Sequence, residues 1–519
     1  MDKHSFGRRA FMGGLSVAAL SLVACTRDQP TLQQNANAES VSSSPAPQDS
    51  WTTAAPTLIT GMSEAKMKGD GHGLDVSTPR VASAGNLTQA CEVVRGRILR
   101  GAHWENAKKV AIHFQLLAAS TDVVGLAIMA AVNSDEPTSA CTLWYDARRE
   151  QTFAAPELVA PSRWRDFATV VRDAAQKQGL DAGKVDESLV DKAAPYGRGP
   201  GIGFNAEGRC VVAFPAGAVS DKMERIVVDA DQQLSEFGRL AHTASLSPTE
   251  FSGEASTQIL HFAPGATHAD AAHSPNRPTD GSSNDVTPTP GGAVRPSTAI
   301  GYDTLRERCV ALTYDDGPGT RTPEMLAAFK QAKAATTFFM KGLHVKVHSD
   351  TALDIACAGH DVGNHTMTHP DLANQTKQVV EEEVRSNSAL LKDVTGIEPL
   401  LFRAPFGSHN DMVDQIVATH GMALVQWKVD TQDWKTLSTP STVERAVSSG
   451  TSLPEPIILL HDVHPSTIDA TPAIIQQLQA AGVHLVTVSE LTLNTGGVFP
   501  GHSYCRGTSL YQVGYACKG

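Results

Sequence analysis

The chain has 519 residues and a formal charge of −12, from 43 Lys and Arg against 55 Asp and Glu. At about 150 residues per domain it is too long for one compact domain, and its acidic balance gives no general attraction for nucleic acid. Beyond the N-terminus no stretch approaches the roughly 18 uninterrupted apolar residues of a membrane span, and 42 Gly and 29 Pro are near average usage, which excludes a fibrous or wholly disordered protein.

Residues Met1–Cys25 read as an export signal. Lys3, Arg8 and Arg9 make a charged start, and Ala10–Leu22 is an apolar run too short to cross a bilayer. Leu22-Val23-Ala24-Cys25 resembles a bacterial lipobox, whose cysteine takes lipid and becomes the mature N-terminus; Gly7-Arg8-Arg9-Ala10-Phe11-Met12 resembles a twin-arginine signal. The expectation is a lipoprotein anchored to the membrane through Cys25 on the outer face of a bacterial cell, the alternative a secreted chain in which Cys25 is incidental. Export permits disulfides. Eight cysteines less Cys25 leave an odd number, so one is free or pairs between chains. Cys505 with Cys517 would staple the C-terminal end, Cys309 with a tail cysteine is equally acceptable, and Cys357, in Ile355-Ala356-Cys357-Ala358, reads as a buried free thiol. The absence of any CxxC gives no support for a structural zinc knuckle.

After the signal, Thr26–Leu58 is rich in Gln, Asn, Ser, Ala and Pro and reads as flexible, giving a tether over 26–85. A second such stretch, with Pro275, Pro278, Pro288, Pro290 and Gly291-Gly292, gives a linker over 261–299. They isolate a separate α+β accessory domain over 86–260. Its signals are strand-type runs at Val110–Leu117 and Val123–Val132, a hairpin over Phe204–Val212 with Gly208 in the turn, and a helix capped by Ser162. Trp164, Phe167, Ala168 and Val171 fall at i, i+3, i+4, i+7 of that helix, a face for core packing.

From 300 to 495 the pattern alternates. Strand candidates are Val310–Thr313, Ala335–Met340, His360–Asn364, Leu400–Phe402, Ala423–Val429, Ile457–Leu460 and His484–Val488. Between them lie helical stretches, one starting at the Thr322 cap before Pro323, one over Gln378–Val394 stopped by Gly396, and one over Thr471–Ala481. Successive β-then-α units predict an α/β fold with a parallel sheet, open or closed into a barrel. The tail, 496–519, with Tyr504 and Tyr511, carries no argued function.

The reactive side chains of this region fall after strands. Asp315 and Asp316 follow the first, His365 and His369 the third, Arg403 the fourth, Asp430 and Asp433 the fifth, and His461 the sixth. In a parallel barrel all strand C-termini meet on one face, where active sites form. One Asp with two His makes an N,N,O set for a divalent ion with open positions. His365 and His369 are four apart, but Pro370 disfavours α geometry at His369, so a strand end running into a turn is expected. His464 reads as a loop histidine.

Thr313-Tyr314-Asp315-Asp316-Gly317-Pro318, His365-Thr366-Met367-Thr368-His369, Arg403-Ala404-Pro405-Phe406-Gly407, Asp430-Thr431-Gln432-Asp433-Trp434 and Leu459-Leu460-His461 resemble, in order, the five motifs of NodB-type polysaccharide deacetylases, carbohydrate esterase family 4. The resemblance covers under half the chain. It implies a deformed parallel (β/α) barrel and a metal-dependent deacetylase. Asp315 would be the general base, and Asp316, His365 and His369 the ligands of one divalent ion, usually zinc, with cobalt or another ion in some members. Arg403 would orient Asp315, His461 would protonate the leaving amine, and Asp433 would hold His461 cationic. Trp434 and Leu459 would wall the acetyl pocket beside Tyr314, and the Phe406 N–H would hold the oxyanion. Tyr314 stands where Phe is usual and Phe406 where Tyr is usual. The layout of 86–260 resembles the C-terminal domain of a lysozyme-sensing anti-sigma factor.

An anchored enzyme on a tether faces the wall of its own cell. The expected substrate is therefore cell-wall polysaccharide: peptidoglycan N-acetylglucosamine first and N-acetylmuramic acid second. The alternatives are an acetyl-xylan esterase, a chitooligosaccharide deacetylase or, in another class, a surface protein binding wall or lysozyme through 86–260.

Overall fold

The computed structural model describes residues 48–195, 197–253 and 295–507. The export signal with Cys25, residues 26–47 of the expected tether, most of the second linker, Tyr511 and Cys517 lie outside the described residues.

The N-terminal half is built on strands β1 (Met62–Lys66), β2 (Leu74–Val81), β3 (Val110–Ala119), β4 (Val123–Val132), β5 (Ser139–Asp146) and β6 (Gln151–Ala154), which pair in that order. Only β2 and β3 run parallel, because helix α1 (Gly85–Trp104) crosses between them. Helix α2 (Trp164–Lys177) follows, then α3 (Ala182–Val190), an antiparallel sheet of β7 (Gly201–Phe204), β8 (Cys210–Phe214) and β9 (Glu224–Val228), and α4 (Glu236–Leu246). The expected helix face, Trp164, Phe167, Ala168 and Val171, is buried in a core with the β7–β9 sheet. Its N-cap is Arg163, however, and Ser162 makes no cap, because a short 3-10 turn over Pro161–Arg163 leads into the helix.

The folded structure includes residues well before 86. Trp51 is buried, its indole N–H donating to the Val211 carbonyl (3.0 Å), and β1 and β2 occupy the stretch assigned to the tether. Within the stretch assigned to the second linker, the Arg295 guanidinium donates to the carbonyls of Pro156 (3.3 Å) and Val159 (3.0 Å).

The C-terminal half alternates as expected. Its elements are β10 (Cys309–Asp315), α5 (Thr322–Gln331), β11 (Thr337–Met340), α6 (Gly342–Val347), α7 (Ser349–Cys357), β12 (Asp361–Asn364), α8 (Lys377–Thr395), β13 (Leu401–Phe402), α9 (Asp411–Thr419) and β14 (Ala423–Val425). They continue as β15 (Val429–Asp430), α10 (Asp433–Thr436), α11 (Thr439–Ser452), β16 (Ile457–His461), α12 (Pro465–Ala480), β17 (His484–Leu485), α13 (Val488–Leu493) and β18 (Ser503–Tyr504). Helix α8 ends at Gly396 in the left-handed region, φ 78°. The run Ala423–Val429 is broken into two strands, and Val488 opens a helix instead of closing a strand, because Thr487 and Glu490 form a reciprocal capping box.

All pairs in this sheet are parallel, in the order β15-β16-β10-β11-β12-β13-β14-β18, with β17 beside the start of β10. Beyond β18, the Ile457 N–H donates to the Cys505 carbonyl (3.2 Å), and Pro456 bridges Arg506. The far edge of the sheet thus returns to the start of β16, making a deformed parallel barrel. Of the stretch assigned to the tail, Ser503–Tyr504 forms a strand of this barrel. Cys309 is a buried free thiol, and Cys357 is free but half-buried.

The accessory half is an additional domain packed closely on the barrel, and the described residues of both fall in one compact unit. Helix α1 lies against α13. Gln89 donates to the Ser489 carbonyl (2.8 Å) and accepts from the Val498 N–H (2.7 Å). Arg97 (2.9 Å) and Arg100 (2.5 Å) both donate to Glu490 Oε1, whose side chain is 2% exposed. Burial pushes the Glu490 carboxyl up, and the two guanidiniums outweigh it and hold it below its ordinary value. Removing one partner of a buried pair strands a charge in the interior, at about 3–5 kcal/mol. Arg100→Ala should therefore lower the stability of the whole chain by about 3 kcal/mol in urea unfolding. A loss under about 1 kcal/mol would place this pair with surface ion pairs.

Candidate active site

Parallel strands bring their C-terminal ends to one face, and β10, β12, β13 and β16 deliver the site there. Asp315 ends β10 and pairs in register with His461, which ends β16. Neighbouring strands lie about 4.8 Å apart, so a carboxylate and an imidazole face the same mouth from adjacent strands.

Side chains alternate along a strand, so Asp316 would turn away from Asp315 if β10 continued. It does not continue: Asp316 lies at φ 75°, and this left-handed turn brings its carboxylate back to the site. Thr366 (φ 64°) and His369 (φ 72°) bend the histidine segment in the same way, consistent with Pro370 excluding a helix. Asp316 Oδ1 lies 3.2 Å from His369 Nε2 and 3.6 Å from His365 Nε2. Among the described residues this is the one group of three whose ligand atoms lie within 4.8 Å of one another.

The donor set fits a divalent ion. His365 Nδ1 lies 2.8 Å from the Arg403 carbonyl, which can only accept, so Nδ1 carries the proton and the Nε2 lone pair is presented to the centre. Burial and the neighbouring His365 hold His369 below the usual histidine value, favouring the neutral imidazole that a ligand must be. Burial alone would push the Asp316 carboxyl up, but positive charge on His365 and His369, with His461 and Lys341 beyond them, outweighs it and holds it down, a place that a bound cation would take when the imidazoles are neutral. Asp316 Oδ1 is buried and has no hydrogen-bond partner, an acceptor left for something else.

Arg403 is fully buried beneath the mouth. Its Nη1 donates to Asp315 Oδ1 (2.7 Å) and Thr313 Oγ1 (2.8 Å), its Nε to the Val425 carbonyl (2.9 Å), and its Nη2 to the Gln426 carbonyl (3.2 Å). One Asp315 oxygen is thereby fixed, and the other, Oδ2, faces His365 Nε2 at 3.8 Å. Across the mouth, His461 Nδ1 donates to Asp433 Oδ1 (2.9 Å), while Asp433 Oδ2 accepts from the His461 N–H (2.8 Å) and Thr467 Oγ1 (2.7 Å). Burial disfavours the His461 cation, but the Asp433 carboxylate outweighs it and raises the histidine to about 9.

Phe406 (φ 60°) tops the turn after β13, largely exposed, with its ring 4.6 Å from that of His369. Trp434, on α10, is half-exposed on the rim. Leu459 pairs in register with Thr313 and so shares the face of His461. Tyr314 does not belong to the pocket. It points to the opposite face of β10, fully buried, with its hydroxyl 3.0 Å from Thr471 Oγ1 and its ring stacked on Phe338. Its expected place as a substrate contact is therefore corrected: strand alternation sends it into the core. Asp430 Oδ1 accepts from the Gln432 N–H (2.7 Å) and serves the turn. His464 is the residue just before α12, with its ring 5.7 Å from that of His461.

Two residues in this neighbourhood escaped the sequence reading. Thr467 completes the Asp433 shell. Asp462, directly after His461, is fully buried; burial pushes its carboxyl up to about 7 in spite of the Thr322 hydroxyl donating to Oδ2 (2.6 Å). Polarity at a predicted strand end was the available signal.

Residues 302–425 match the sequence profile of the family described as polysaccharide deacetylase. A peptidoglycan-N-acetylglucosamine deacetylase of Bacillus cereus is 35% identical over 191 residues, 36% of this chain and 88% of that protein. The chain belongs to the polysaccharide deacetylase family. The peptidoglycan-N-acetylmuramic acid deacetylase PdaC of Bacillus subtilis is 31% identical over 186 residues, 36% of this chain, and the match spans only 39% of PdaC. A chitooligosaccharide deacetylase of a Bradyrhizobium species is 37% identical over 178 residues, 33% of this chain and 80% of that protein. Among solved structures, a T48 deacetylase with substrate aligns with 35% identity over 39% of this chain and 99% of that one, at a TM-score of 0.37. The family match lies wholly in the C-terminal half, where the site lies.

Proposed function

We propose that this polysaccharide deacetylase hydrolyses the N-acetyl group of peptidoglycan N-acetylglucosamine. The observation that carries the reading is the convergence of a neutral-imidazole and carboxylate ligand set with a base on one side and a cationic histidine on the other. Asp316, His365 and His369 would hold one divalent ion, zinc by the N,N,O chemistry of the set, with cobalt the alternative. When bound, such an ion polarises a carbonyl and lowers the pKa of water.

The chain's own residues do the rest. Asp315 Oδ2 takes the proton of the water as its oxygen bonds to the acetyl carbon. Arg403 holds the other Asp315 oxygen fixed. The Phe406 N–H donates to the carbonyl oxygen as it gains charge. His461 gives its proton to the sugar nitrogen as the C–N bond breaks, and acetate and a free amine leave. Trp434 and Leu459 flank the acetyl methyl.

The name of the Bacillus cereus relative supports N-acetylglucosamine, and that of PdaC supports N-acetylmuramic acid as the second choice. The Bradyrhizobium relative favours chitooligosaccharide as the alternative. The proposal includes export and a lipid anchor at Cys25, supported by the sequence of residues 1–25. It also includes wall or lysozyme binding by the accessory half, which retention of the whole protein on sacculi or lysozyme tests. Acetate release is measured in parallel on purified wall, chitooligomers and acetyl-xylan; the expected order places wall first, and preference for xylan contradicts the reading. His365→Ala should lose stoichiometric metal in calorimetric titration, and a variant that still binds one equivalent tightly would remove His365 from the ligand set.

A further inference from the structure

Asp316 carries an unusual demand. It is a non-glycine residue at φ 75°, a conformation that persists only where its surroundings enforce it. What enforces it is visible on the next three residues. Asp462 is fully buried and lies directly over Gly317; a Cβ on Gly317 would overlap both carboxylate oxygens. Only glycine leaves room for the carboxylate to seat on the backbone there. Two residues on, the Gly319 N–H donates to Thr322 Oγ1 (2.8 Å), and Thr322 Oγ1 donates to Asp462 Oδ2 (2.6 Å). The Gly317 carbonyl accepts from the Lys341 N–H (3.0 Å). The loop from Asp316 to the start of α5 is thus tied to the end of β16 through one buried carboxylate. Thr322, read from sequence as a helix cap, makes no cap; Arg321 occupies that position and the Thr322 hydroxyl serves the clamp.

We propose that Asp462 is a positioning residue for Asp316: through Gly317 and through Thr322 to Gly319, it fixes the left-handed turn that aims the Asp316 carboxylate at His365 and His369. The inference rests on the reading of those three residues as a metal site. Groups that orient ligands typically contribute 10- to 100-fold in metal affinity. Asp462 is not one of the three residues whose ligand atoms gather at that site.

The test is competitive titration of Zn²⁺ against a chromophoric chelator, on the full metal-free chain, with thermal unfolding of each metal-free variant alongside. Asp462→Ala should weaken zinc affinity about 10- to 100-fold. Asp462→Asn, which keeps an acceptor for Thr322, should lose less. Thr322→Val should lose affinity with little change in metal-free melting, and it decides the matter if Asp462→Ala does not fold. Wild-type affinity in Asp462→Ala and Thr322→Val overturns the inference, as does lowered melting with unchanged affinity. If wild type itself binds no zinc that His365→Ala removes, the metal site falls; if it does bind and the Asp462 variants bind equally, only the positioning role falls.

Discussion

Asp315→Asn should lower acetate release by about three orders of magnitude while the protein still binds one divalent ion. The amide keeps the shape and an acceptor for Arg403 but takes no proton at the position of Oδ2, and loss of a general base costs about 10²–10⁴ in rate. A second effect accompanies the first. Arg403 is wholly buried, and Asp315 is its carboxylate partner at 2.7 Å. Neutralising that partner strands the guanidinium, so the variant should also lose about 3 kcal/mol of stability. The two effects separate by assaying below the melting transition. Loss of metal with the base variant would mean that Asp315 and Asp316 have exchanged roles.

Asp433→Asn should move the pH dependence. A general acid must enter protonated, so activity falls as pH rises through the pKa of His461. In the wild type that value is about 9, raised by Asp433 against the effect of burial. Without that carboxylate, burial is opposed only by the smaller effects of Asp315 and Asp316, and the histidine should titrate well below its wild-type value. Activity at pH 8 should fall by about 10²-fold and be partly recovered at pH 6. Titration of the His461 ring by NMR in the metal-free protein checks the cause directly; an unchanged value in the variant would separate Asp433 from the acid. The same pair links to stability. The raised histidine contributes fully below about 6.5, and its contribution fades as pH rises through about 9. Asp433, held low by His461 against burial, contributes above the ordinary carboxylate range and loses that contribution in acid.

The barrel and most of its site were legible because topology does the gathering. Asp315, His365, Arg403 and His461 each stand at a predicted strand end, and parallel pairing alone carries them to one face. Tyr314 was misplaced by reading a motif as a block; alternation along β10 already separates it from Asp315. The same rule would have separated Asp316, and only its left-handed turn, invisible in composition, restores it. The ends of the domains were missed for a different reason. Trp51 is one aromatic in a polar stretch whose partner, Val211, lies far along the chain. Ser503–Tyr504 is too short for any period, and pairing with β14 defines it as a strand. The docking of α1 was hidden because the partners of Gln89, Arg97 and Arg100, the Ser489 carbonyl and Glu490, lie about 390–400 residues further along the chain.

Deacetylation is proposed to require one ion, gripped by Asp316, His365 and His369. This requirement is tested most directly by stripping the full chain with chelator and returning Zn²⁺ in fractions of an equivalent while following acetate release from purified wall. The stripped protein should show no turnover, and activity should return linearly and saturate at one ion per chain. Undiminished turnover by the thoroughly chelated protein would contradict that requirement.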